Sequence, residues 1–139
     1  MSSVSNEARR VAYDFAVLRL VPHPHLERWT PVGVVLHART EEFLDARVVD
    51  DPVQLASIAP EVDVDVLVRY LRNWRAIARG RAEAGPVALF PPSERFHWLT
   101  CPRSDVLQSS PVRRGVAADP GEALDRIWSE QVARGSGLE

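Results

Sequence analysis

Val11 to Val21, V-A-Y-D-F-A-V-L-R-L-V, decides the fold. Strand formers dominate it and apolar side chains occupy both parities of the alternation, which is the pattern of a strand covered on both faces. It predicts a central strand. Downstream, Pro22 to Pro31 carries three prolines in ten residues, removing backbone donors and blocking both helix and ladder, so it reads as a loop. Val32 to Arg39 and Phe43 to Val49 read as two more strands joined by a short polar turn, a hairpin by spacing. Gly33 inside the first marks a bulge or a close backbone approach.

The middle of the chain turns helical. Asp51 before Pro52 has the order of a cap and a first helical residue, predicting a short helix over Pro52 to Ser57. A longer helix is predicted from Val62 to Arg79, where Leu67, Leu71, Trp74 and Ala78 recur on one side and Arg69, Arg72, Arg75 and Arg79 gather on another. Gly80 ends it. Pro86 to Phe90, Arg95 to Cys101 and Asp105 to Gln108 read as strands, and Asp119, Pro120 and Glu122 open a last helix that buries Leu124, Ile127, Trp128 and Val132 and stops near Gly135. The order βββααβββα predicts an α+β fold, an antiparallel sheet of about five to six strands covered on one side by about three helices. Residues 1–10 are expected to be a flexible N-terminal segment, 11–134 a single domain and 135–139 a flexible tail.

All seventeen basic residues are arginine. Chemistry that needs a lysine, such as a Walker-type phosphate loop or a Schiff base, is therefore excluded. Guanidinium groups are suited to gripping carboxylates and phosphates and poorly suited to proton transfer. The arginine bias also points to a GC-rich bacterial gene. The chain has 139 residues and a formal net charge of −2, so it has single-domain length and no global attraction to nucleic acid or anionic lipid. One cysteine cannot form an internal disulfide, and the N-terminal residues lack the apolar run of a signal peptide. The expectation is a cytoplasmic protein with no membrane association.

Reactive and anion-binding side chains crowd into Pro91 to Gly115, P-P-S-E-R-F-H-W-L-T-C-P-R-S-D-V-L-Q-S-S-P-V-R-R-G. Arg95, His97, Arg103, Ser104, Gln108, Ser110 and Arg113 form the candidate ligand-binding set, with Ser109 and Arg114 beside them. Forked cations and hydroxyls at this density suit phosphate or carboxylate recognition, because bidentate charge-assisted bonds fix orientation as well as supplying energy. The competing reading is a polar loop whose arginines pair with Glu94, Asp105 and Asp119. If the segment supplies a site, its guanidinium groups converge on one electropositive recess.

Three other constellations carry less. Read as a strand, Arg95 to Cys101 separates His97 from Cys101 by roughly 13 Å, beyond hydrogen-bond reach, so Cys101 reads as a small core residue rather than a nucleophile. His23 and His25 form an H-x-H pair with Glu27 or His37 as a third ligand, but loop histidines between prolines are more often exposed spacers, and no metal or cofactor is expected. The arginine stripe of the long helix could meet RNA, yet a surface helix must show some charged face, and nucleic acid is not the expected partner.

The run R-F-H-W-L-T-C-P-R-S-D-V-L-Q-S-S-P-V-R-R-G, with Y-D-F-A-V-L-R, V-G-V-V-L and F-L-D-A-R-V in the same order, resembles the bacterial family of domain of unknown function 3037 from about Tyr13 to Val132. The resemblance carries no activity, cofactor or catalytic residue onto positions here. It implies a small stand-alone bacterial protein and a protein partner, for which a kinase-like protein encoded nearby is a candidate. Similar sequences tend to have Asn before V-G-V, where this chain has Pro31. The expected function is an accessory or binding domain that recognises an anionic ligand or a protein partner through the arginine/serine-rich segment. The alternatives are an enzyme acting on a phosphorylated or nucleotide substrate, and an RNA-binding module.

Overall fold

The computed structural model describes residues 9–22, 28–101 and 106–133. His23, His25, Glu27, Arg103 and Ser104, the expected tail at 135–139 and most of the expected N-terminal segment lie outside these. β1 (Val11–Leu20) is central, as its two-sided apolar pattern requires. Along one edge it pairs antiparallel with β2 (Thr30–Ala38), which in turn pairs antiparallel with β3 (Phe43–Val48). Its other edge is shared: β4 (Leu107–Ser109) pairs with Leu18 to Leu20, and β5 (Arg113–Ala117) pairs with Val11 to Phe15.

Gly33 serves both purposes its position suggested. Leu18 pairs with Gly33 but Arg19 pairs with Pro31, so β2 bulges at Val32. A Cβ on Gly33 would sit 3.2 Å from Leu18 Cβ and 3.3 Å from both the Arg47 carbonyl oxygen and the Trp74 ring. The three elements meet closely enough that a side chain there would have to push its neighbours apart by a few tenths of an ångström.

The helices are α1 (Pro52–Ile58), α2 (Val64–Ala78), α3 (Pro92–Thr100) and α4 (Pro120–Trp128). Asp51, Asp63 and Asp119 cap α1, α2 and α4, each accepting from backbone N–H groups of the first turn. α2 buries Leu67, Leu71, Trp74 and Ala78, the residues whose spacing announced it. α4 buries Leu124 and Ile127 and runs into a π turn, Ser129–Ala133, which buries Val132.

Two expected strands are not strands. Pro86 to Phe90 is a 3₁₀ turn over Pro86–Leu89, and Arg95 to Cys101 is the body and C-cap of α3. Phe96, Trp98 and Thr100 suggest a strand by composition, but strand propensity yields to context. Pro92 at the first helical position presets φ, Glu94 in the first turn meets the helix dipole, and Phe96 and Leu99 bury one side three residues apart. β5 escaped notice because R-R-G-V-A has no apolar alternation. Gly115 is nonetheless required in it, since a Cβ there would fall 2.4 Å from the Tyr13 ring.

One-sided cover is also corrected. Gly33 faces Trp74 of α2 and His37, four residues on along the same strand, faces Phe96 of α3. Tyr13 and Phe15 alternate to the opposite side, where Tyr13 meets Arg126 of α4 and Arg47 of β3 pairs with Asp125. α2 and α3 therefore cover one face and α4 the other. β2, between them, is buried from Pro31 to Ala38 on both parities.

Candidate functional site

α3 crosses the sheet at the β2 end and leaves the β1–β5 half of that face open. The gap is a cleft of about 500 Å3. Ser93, His97 and Thr100 line it from α3, at helical spacing on one side. The sheet supplies the other wall through a row of direct cross-strand partners, His37 on β2, Asp14 on β1 and Arg114 on β5. Arg39 and Thr40, in the 3₁₀ turn that follows β2, close one end.

The row has graded exposure. His37 is only 6% exposed and its ring centroid lies 5.4 Å from that of Phe96. Burial lowers its pKa below the ordinary histidine value; Asp14 opposes this shift, while Arg39 and Arg95 add to it. The imidazole is therefore held neutral near pH 7. Arg114 donates from Nε to Asp14 Oδ1 at 3.2 Å, yet its side chain is 77% exposed. A pair in that setting contributes little stability, and the guanidinium can share its fork with a second oxyanion. Among the described residues the cleft thus presents two arginines and two histidines against one carboxylate.

The residues expected from the sequence do not all arrive here. His97 does, and so does Arg114. Arg95 lies behind α3, where its Nε donates to the Phe90 carbonyl at 2.8 Å and its Nη1 to those of Ile77 and Ala78 at 2.9 and 2.8 Å. These bonds satisfy carbonyls at the C-terminus of α2, and burial lowers the guanidinium pKa. Ser110 is buried: its hydroxyl accepts from Val17 N at 2.9 Å and donates to the Pro111 carbonyl at 3.0 Å, prolonging the β1 ladder. Gln108 pairs with Arg19 in β4. Arg113 neighbours Arg114 in β5 and so points to the opposite face of the sheet. Among the described residues the segment's guanidinium groups do not converge on one recess.

Helix formation also changes the account of Cys101. It stands one turn from His97, and the two line a shallow recess of about 370 Å3 with Phe90 and Trp98. The separation expected for a strand does not apply. On α2, Arg72 and Arg75 meet Asp50, and Arg79 meets Asp45, so much of the arginine stripe is engaged by acids of the sheet side. Asp14, Arg39, Thr40 and Ser93 were not in the expected set. Asp14 carried a signal, the one acid in a strand that is otherwise apolar but for Arg19 near its end.

The model of a family described as protein of unknown function (DUF3037) matches residues 15–132. The chain belongs to that family. Comparison with curated proteins and with solved structures gives no match. The DUF3037 match encloses α3, His37, Arg39 and Arg114, and begins one residue after Asp14. Among the described residues, no helix is long and apolar enough to cross a membrane.

Proposed function

We propose that this DUF3037 domain is a binding module that takes a small anionic ligand, bearing a phosphate or carboxylate, in the cleft between α3 and the β1–β5 half of the sheet. The observation that carries this reading is the charge balance of the cleft among the described residues: Arg39 and Arg114, with His37, His97 and the aliphatic hydroxyls of Thr40, Ser93 and Thr100, against Asp14 alone. The volume is that of a small-molecule site. Arg114 would grip the anion, Thr40 and Ser93 would orient it, and neutral His37 would offer one N–H without adding charge.

Titration with inorganic phosphate at constant ionic strength, read at the backbone amides of Arg39, Thr40 and Arg114 by NMR, tests this. Saturable shifts are expected, with Kd raised at least about tenfold in Arg114→Ala, the effect of losing a hydrogen bond to a charged group. Shifts that only follow a chloride control would contradict it.

An enzymatic reading has one feature in its favour, the neutral His37 beside Asp14, a suitable general base. The described hydrogen bonds join no hydroxyl or thiol to the imidazole of either His37 or His97, and Thr100 Oγ1 donates to the main-chain carbonyls of Phe96 and His97. The binding reading is therefore favoured. Turnover of a phosphorylated substrate that is abolished by His37→Gln would reverse that preference.

A further inference from the structure

On the face of the sheet away from the cleft, a second set of cations gathers. β1 sends Phe15, Val17 and Arg19 to that face at alternate positions, and Arg113 stands directly across from Phe15. Arg19, Arg113, Trp29, Ser110 and Gln131 line a recess of about 140 Å3 there. The Arg19 guanidinium carbon lies over the Trp29 ring, 4.2 Å from its centroid, a cation–π contact. Its Nε is buried without a hydrogen-bond partner. Neither Arg19 nor Arg113 forms an ion pair with a described residue.

We propose that this recess is an oxyanion subsite that takes one phosphate or carboxylate group between Arg19 and Arg113. Two guanidinium groups share a small concavity without a described counter-charge, and a buried cationic N–H lacks an acceptor. The missing counter-charge has a direct remedy, an oxygen-rich anion held by the two forks. The contact with Trp29 holds one fork before a ligand arrives, which reduces the ordering cost of binding. The size selects a group rather than a molecule, because small-molecule sites run to about 300 Å3 or more. Ser110 contributes the wall alone, its hydroxyl being committed to Val17 N and the Pro111 carbonyl. Gln131, on the π turn after α4, can add a neutral amide donor. Arg113 and Arg114 are chain neighbours pointing to opposite faces, so this subsite is separate from the proposed cleft and does not rest on it.

The test uses the full chain at constant ionic strength, with chloride replaced by sodium phosphate in one arm and by sodium acetate in the other. The Arg19 Nε–H and Trp29 indole N–H signals report the site. Saturable shifts of both are expected in at least one arm, and the arm that saturates names the oxyanion. Arg113→Gln should raise that Kd at least about tenfold, while Arg114→Ala leaves it unchanged. Signals that track the chloride control in both arms, an Arg113→Gln variant that titrates as wild type, or equal weakening by Arg114→Ala would overturn the proposal. A shift at Arg19 and Trp29 with none at Thr40 would sustain this subsite and remove the cleft; the converse would do the opposite.

Discussion

Arg95 and Arg114 come from one arginine-rich stretch and end in opposite circumstances. Arg95 is half-buried and bonded to three main-chain carbonyls at the junction of α2 and α3. Arg114 is exposed on an edge strand with one carboxylate for company. Main-chain acceptors cannot move away, so the first guanidinium is part of the fold. A surface carboxylate can be shared or displaced, so the second is available to a ligand. The difference lies in what surrounds each arginine, which its own identity does not disclose.

The sharpest break in that comparison is at Arg95. Arg95→Ala exposes carbonyls at the end of α2 and is expected to cost about 2–3 kcal/mol, lowering Tm by several degrees in a thermal melt. Arg95→Lys should recover little, because an ammonium cannot reproduce the fork. If Arg95→Ala melts like wild type, the assignment of this arginine to the fold is wrong. Next in size is Ser110→Ala, which leaves Val17 N–H without its hydroxyl partner and should cost about 1–2 kcal/mol in a denaturant titration. His37 follows. Its folded pKa lies below its unfolded value of about 6.5, so above that pH both states are neutral and burial has no pH-dependent cost. As pH falls below about 6.5 the unfolded chain takes up the proton first and stability declines, until the folded pKa is passed. Melts from pH 7.5 to 5 should show a shallower fall in His37→Gln than in wild type; parallel curves would mean that His37 does not titrate as described. Smallest is Arg114→Ala, expected within about 0.5 kcal/mol of wild type, as for most exposed pairs.

Much of the fold was legible. β1, β2 and β3, the caps at Asp51 and Asp119 and the buried stripe of α2 follow from alternation, helical spacing and cap chemistry, all local signals. α3 was legible too, from Pro92 and Glu94, but the aromatic run after them argued for a strand and tertiary packing settled the matter. Two-sided cover was legible in β1, apolar on both parities, and again in the β2 run V-G-V-V-L-H-A, against the one-sided cover expected of the sheet as a whole. The candidate site was less accessible, because it depends on register. Asp14, His37 and Arg114 lie on three different strands and become neighbours only once those strands pair. No spacing along the chain reports this. Ser110 and Arg95 show the reverse error, since residue types suited to binding anions are also suited to binding main chain.

The most direct test of the account compares two variants from the two ends of one ion pair. Phosphate is titrated into Asp14→Asn and Arg114→Ala, with the Thr40 amide as reporter. If the cleft holds an anion, removing its one carboxylate should tighten binding several-fold and removing Arg114 should weaken it at least about tenfold. Equal affinity in both variants, or weakening in both, would contradict the claim that Arg114 faces a ligand and Asp14 only occupies its place.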